Sequence, residues 1–443
     1  MCFLNLLRRL ALQSRAHGTP LLSGLIVGLC LSACGGGGGS STTTTNTTIS
    51  ANSIVGDPIP GLNVMPVTVD SGPAGSAYLA NRLFASVTIC APGTATCQTL
   101  DHVLVDTGST GLRVMASAIT NTALQNLTKV TGDTGKPLLN CARFLDGSFA
   151  WGPVANLDVT LGGKTAFNLP VQLIADSLVA NASGYNSTAA SCSGGTGITK
   201  VIGTSSSDAS ALGAKGILGI GHLKEDCGNA CVSSALLGAY FECATTSSGS
   251  CTSTATSTAA LVKQVRNPVP LFNSDNNGLA VILPAVTPAG AERATSLQGS
   301  IVFGVDTQSN NSSAGATLLQ LNASGYFTAT VNNVVMPASF LDTGSNGLFF
   351  DTGLPQCSGF YCPASTTTFS GTLKGSNNVS KSIAFDVKTA QFDFNYHVFP
   401  LLAGPLGKST AFDGGLPFFF GRKVFVGIEG ASSSLGSGAY YGF

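Results

Sequence analysis

The sequence predicts a large, mostly β exported protein built from two similar halves. Three observations carry this. Short β-branched or alternating apolar runs recur along the chain, separated by Gly, Pro, Asn, Asp and Ser. The 443 residues are 44% hydrophobic, only 9% charged, and include 55 Gly. A segment reading Asp-Thr-Gly-Ser occurs twice, once in each half, with matching flanks. So few charges exclude a disordered chain or a coiled coil. Lys+Arg and Asp+Glu both number 21, so no basic excess exists for nucleic acid.

At the N-terminus, Arg8, Arg9 and Arg15 precede the apolar stretch Leu21–Ala33, which ends at Cys34. That stretch is shorter than the ~20 residues a spanning helix needs. A positive region, an apolar core and closing small residues describe a secretory signal over residues 1–34. Leu31-Ser32-Ala33-Cys34 resembles a bacterial lipobox, which implies lipidation at Cys34. The competing reading is an ordinary cleaved signal with an incidental Cys. Gly35–Gly39 and the Ser/Thr run to Thr48 cannot bury enough apolar surface to order themselves. Residues 35–60 are therefore expected to be a flexible tether.

Strands are expected at Leu83–Ile89, Val103–Val105, Val154–Leu161, Phe167–Ile174, Ser300–Phe303 and Tyr326–Val335. Helical spacing is scarce; Ser233–Phe241 and Ala259–Val265 are the best candidates. The Ser/Thr-rich stretch Thr245–Thr258 reads as a surface insertion.

Thirteen cysteines occur. Setting aside Cys2, Cys30 and Cys34 leaves an even ten, which favours disulfides in an exported chain. Four pairs lie close in sequence: Cys90/Cys97, Cys227/Cys231, Cys243/Cys251 and Cys357/Cys362. Cys141 and Cys192 are left over. Metal binding is the weaker alternative, because the four His form no ligand cluster with these Cys.

The two motif copies are His102-Val-Leu-Val-Asp106-Thr107-Gly108-Ser109 and Ala338-Ser-Phe-Leu-Asp342-Thr343-Gly344-Ser345. Each is an apolar strand that ends in Asp-Thr-Gly-Ser, followed by a second Gly and another apolar run. One copy alone is any strand-to-turn corner. Two copies, one per half, resemble the pepsin-like aspartic peptidases. The resemblance implies an all-β bilobal fold, with lobes over residues 61–266 and 267–443. It implies that Asp106 and Asp342 face each other in the cleft as the catalytic pair. Thr107 and Thr343 would tie the two loops together, Gly108 and Gly344 would permit close approach, and Ser109 and Ser345 would bond the outer carboxylate oxygens.

Further blocks follow in family order. Leu79–Asp106 resembles the opening hairpin. Lys215–Gly221 resembles the block that threads behind the first motif. Gly299–Asp306, Tyr326–Val331 and Gly415–Phe418 with Arg422 resemble second-lobe segments. In the last block Gly414 stands where an aliphatic residue is usual. Two further departures concern the flap. Its Tyr position falls on Phe144, just before Gly147-Ser148, and the Trp that normally partners that Tyr is replaced by Arg113. Phe144, Gly147 and Arg113 are therefore expected at the substrate. Cys357 and Cys362 follow the second motif where the family carries a small closed loop.

The resemblance implies an endopeptidase in which two carboxylates activate a water, with no metal or organic cofactor. The expected partners are an extended peptide or protein substrate and a membrane, through a lipid anchor. A monomer held in the bacterial cell envelope, at the outer membrane, is expected. The alternative is a catalytically silent binding or surface lipoprotein of the same fold. No His-Glu-x-x-His, Gly-x-Ser-x-Gly or P-loop pattern occurs.

Overall fold

The computed structural model describes residues 51–145, 148–176, 192, 200–202, 212–234, 238–243, 259–286 and 292–443. The signal, Cys34, most of the tether, Gly147, Cys251 and the Thr245–Thr258 stretch lie outside the described residues.

The fold is all-β. Among the described residues, one sixteen-stranded sheet draws strands from both halves, and a seven-stranded sheet belongs to the second half. Strands Leu83–Cys90, Cys97–Asp106, Ser148–Leu161, Lys164–Ile174 and Ala294–Phe303 cover the expected runs. Tyr326–Val335 is not one strand. It divides into Phe327–Val331 and Val334–Leu341, which pair antiparallel across Asn332 and Asn333. Both Asn adopt positive φ, the conformation such a two-residue turn demands.

Neither expected helix forms among the described residues. Around Ser233 there is a single helical turn, Asn229–Ser233, and the chain then becomes the strand Tyr240–Glu242. That strand pairs with Leu138–Asn140, so tertiary pairing overrides a weak local preference. Ala259–Val265 holds only the short 3-10 turn Leu261–Lys263. The end of the expected tether is also structured. Ala51–Val55 runs parallel to Ala294–Phe303, and Ile54 packs on the core. One apolar side chain and an open strand edge are enough to recruit it.

Cys90–Cys97, Cys141–Cys192 and Cys227–Cys231 are disulfides. Cys243 is also disulfide-bonded. Cys357 and Cys362 are thiols, contrary to expectation. The hairpin register explains this. Cys357 stands opposite Phe360, and Gln356 opposite Tyr361, so Cys362 is a diagonal neighbour of Cys357. Diagonal positions lie ~7–8 Å apart, beyond the Cβ spacing of a disulfide. The nearby Cys362 thiol and burial push the Cys357 thiol up to about 11.

The main core runs through both halves and includes Val105, Leu112, Leu218, Phe303, Phe327, Leu341 and Val424. No helix among the described residues is long and apolar enough to cross a membrane.

Candidate active site

Each motif loop is held by the same strand arrangement. In the first half, Gly216–Ile220 lies between two strands. It pairs parallel with Val103–Asp106 and antiparallel with Thr110–Val114. In the second half, Asp413-Gly414 pairs parallel with Phe340-Leu341 and antiparallel with Leu348-Phe349. Each Asp therefore leaves a strand pinned by a neighbour that also pins the strand after the turn.

The two loops meet. Thr107 N donates to Thr343 Oγ1 at 3.1 Å, and Thr343 N donates to Thr107 Oγ1 at 3.0 Å. Each hydroxyl then donates to a backbone carbonyl of the opposite strand: Thr107 Oγ1 to Leu341 O at 3.3 Å, Thr343 Oγ1 to Val105 O at 2.9 Å. The exchange is reciprocal and fully buried, so it locks the relative position of the loops.

That lock brings Asp106 and Asp342 together, both 0% exposed. Their carboxyls lie close enough to act on each other's ionisation. Gly108 N donates to Asp106 Oδ1 at 2.8 Å and to Asp342 Oδ1 at 3.1 Å. Gly344 N donates to Asp342 Oδ1 at 2.8 Å. The outer oxygens accept from the serines, Ser109 Oγ to Asp106 Oδ2 at 2.5 Å and Ser345 Oγ to Asp342 Oδ2 at 2.7 Å. A Cβ on Gly108 would lie 2.5 Å from the Asp342 carboxyl carbon, and one on Gly344 would lie 2.9 Å from that of Asp106. Only glycine leaves room for this approach.

Burial raises the Asp106 carboxyl above the ordinary carboxylate range, against the lowering effects of its hydrogen bonds and of the Arg113 charge. Asp342 is pushed up further, first by burial and then by the charges of Asp106 and Asp413. Two close carboxyls in a dry site cannot both ionise cheaply, so the pair retains a proton. One carboxylate can then accept a proton while its partner donates a hydrogen bond.

An open cavity of about 410 Å³ adjoins the loops, lined by Thr107–Thr110, His222, Glu225, Tyr326 and Phe340. His222 was not singled out from sequence. Burial lowers its pKa to about 4, so it is neutral above that range.

The flap expectation needs correction. Phe144 is 4% exposed and packs with Leu104, Met115, Ile174 and Ile217. It is a core residue and does not line the cavity. The strand ends at Arg143, and Leu145 stands in the turn that follows Phe144. Leu145 packs against the cluster of Phe340, Phe349 and Phe360 in the second half. The hairpin therefore does reach across, through a different residue.

Arg113 does not partner Phe144 and does not present itself to a substrate. It is 1% exposed, and its Nη2 lies 3.1 Å from Asp226 Oδ2. Its Nη1 donates to Thr110 O at 2.6 Å. Asp226 also accepts from Asn140 Nδ2 at 2.9 Å and from Tyr240 Oη at 2.5 Å. This buried network stands behind the first motif, and its cation favours ionisation of Asp106. No three or more His, Cys, Asp or Glu among the described residues form a group that could hold a metal.

A comparison with curated proteins finds no match. Residues 60–443 match the family model described as Protein of unknown function (DUF3443), and the chain belongs to that family.

Proposed function

We propose that the protein is an aspartic-type endopeptidase with a bilobal, pepsin-like all-β fold, exported and tethered to the bacterial cell envelope through Cys34. The observation that carries this reading is the Asp106–Asp342 pair. Two fully buried carboxyls both accept from the Gly108 amide, and each also receives a hydrogen bond from its own serine and from the glycine amide of its own motif. In the reaction, the ionised carboxyl takes a proton from a water as its oxygen attacks the scissile carbonyl. The protonated carboxyl hydrogen-bonds the carbonyl oxygen and stabilises the charge that develops there. Transfer of the abstracted proton to the amide nitrogen then releases the two products. No step needs a metal or an organic cofactor. The adjoining cavity and the crossing hairpin suit an extended peptide. The signal-like segment and the lipobox resemblance support export and the tether, with the outer membrane as the proposed location.

The pH–rate profile tests the reading. The pair works with one proton on two carboxyls. Activity falls on the acid side when the second proton binds, and on the alkaline side when the shared proton leaves. Because burial raises both groups, the alkaline limb is expected well above the ordinary carboxylate range of ~4. A bell of this kind in kcat/KM on an unfolded protein substrate supports the proposal; a profile flat across the carboxylate range contradicts it.

Leu145 is the contact through which the hairpin meets the second half. Leu145→Ala is expected to raise KM several-fold with little change in kcat, because it loosens substrate closure without touching the carboxyls. Amide exchange of the Leu138–Arg143 strand should quicken in parallel. Unchanged KM together with unchanged exchange would remove the hairpin from substrate binding.

A further inference from the structure

A third buried carboxyl stands behind the pair. Asp413 is 0% exposed. Its place is fixed by the matching strand arrangements of the two halves. Ile217 pairs with Leu104, two residues before Asp106. Asp413 pairs with Phe340, two residues before Asp342. On the other side Ile217 pairs with Arg113 and Asp413 with Phe349. Asp413 is thus the second-half counterpart of Ile217, an ordinary core residue that packs with Phe144 and Leu104. A carboxyl occupies a position whose twin is aliphatic.

The surroundings of Asp413 offer it one hydroxyl, that of Ser345, and no cation. Among the described residues, neither carboxyl oxygen has a hydrogen bond of ordinary geometry. The polar side chain beside it is Ser345. The Ser345 proton is already used, because that hydroxyl donates to Asp342 Oδ2 at 2.7 Å. The Tyr441 hydroxyl is used as well, donating to Leu341 O at 3.0 Å. The titratable groups that act on this region are Asp342, Asp106 and Tyr441. Two are carboxyls and one a phenol, so none offers a compensating positive charge. The buried Arg113 is engaged by Asp226 on the side of the first motif.

A carboxylate anion here would be desolvated, unpaired and flanked by two other carboxyls. A neutral carboxylic acid has no such conflict. It carries the one donor that the Ser345 oxygen can still accept. We infer that Asp413 is a third carboxyl of the site, held neutral, whose O–H donates to Ser345 and so orients that hydroxyl toward Asp342. Asp413 is on this account a positioning residue that acts through Ser345 and touches no reacting atom. Burial, with a smaller push from the Asp106 charge and against the lowering effect of Ser345, raises its pKa well above the usual range, in keeping with the neutral form. The part played in cleavage rests on the peptidase reading above; the protonation state does not.

The test uses the full-length protein with two variants, Asp413→Asn and Asp413→Ile. Asn keeps the shape and a donor but has no proton to titrate; Ile is the residue at the first-half counterpart. The infrared difference spectrum of wild type minus Asp413→Asn at neutral pH is expected to show the carbonyl stretch of a protonated carboxyl. The folded wild type retains a proton there that the unfolded chain releases above the ordinary carboxylate pKa. Its melting temperature should therefore fall more steeply with rising pH than that of Asp413→Asn. In cleavage, Asp413→Asn should stay near wild type. Asp413→Ile should lose about tenfold in kcat, the scale of one hydrogen bond to a charged group, with KM unchanged and the acid limb moved to higher pH. A carboxylate stretch in place of the protonated one, or parallel melting profiles, would overturn the inference. Wild-type protein that shows the protonated carboxyl yet cleaves nothing would uphold the neutral Asp413 and overturn the peptidase reading.

Discussion

Asp106→Asn and Asp342→Asn are each expected to lower kcat/KM on a peptide substrate by ~10³-fold or more, the scale of a lost general acid or base. The amide keeps the size of the carboxyl; its one oxygen can accept from the glycine amide, and its NH2 can donate to the serine hydroxyl, which turns to accept. It cannot take the proton of a water. The loss should be chemical and not structural, and stability separates the two. Asp342 has a folded pKa raised well above its unfolded value. Such a group costs stability above pH ~4, where the unfolded chain is free to ionise and the folded one is not. Asp342→Asn is therefore expected to melt at or above the wild-type temperature at neutral pH. A variant that loses activity together with its fold would leave the carboxyl's chemical role unsupported.

The largest expected loss of stability comes from Arg113→Met. Arg113 and Asp226 are both buried, their side chains 1% and 3% exposed. Removing the cation leaves Asp226 with the Tyr240 and Asn140 donors alone. Breaking one side of a buried pair costs about 3–5 kcal/mol, because the remaining charge is uncompensated. The deficit should shrink in acid. Burial already raises Asp226 and Arg113 opposes that rise, so without the arginine Asp226 protonates more readily on folding. Urea unfolding at acidic and at neutral pH reads this directly, and Arg113→Met with Asp226→Asn should recover part of the loss. A cost below about 1 kcal/mol at neutral pH would mean that the pair is not the element holding this region together.

What could be read from the sequence and what could not divides by how local the information is. Asp-Thr-Gly-Ser is four adjacent residues, and each type has its own task at a tight turn between close strands. The pair, the two threonines and the two serines were all legible for that reason. Asp413 was not. It lies far along the chain from Asp342, and its meaning appears only when strand pairing puts it opposite Phe340. The adjacent oddity, Gly414 in an aliphatic place, was the sole signal. Phe144 was expected at the substrate, but it follows the end of the strand Leu138–Arg143 and packs into the first-half core, while Leu145 in the turn beyond it reaches the second half. Arg113 stood out in the sequence, but its partner Asp226 is distant along the chain. The cysteines show the same limit. Cys90–Cys97 closes a hairpin whose register sets the two directly opposite, whereas the register of the Cys357 hairpin sets Cys362 on a diagonal. Spacing does not reveal register.

The central claim is most directly tested by incubating the purified protein with a denatured protein substrate at acidic and at neutral pH, with and without a statine-type inhibitor. The account predicts peptide-bond cleavage that the inhibitor suppresses and that Asp342→Asn lacks. A substrate left intact under all conditions, or cleavage that survives both the inhibitor and the substitution, would contradict it.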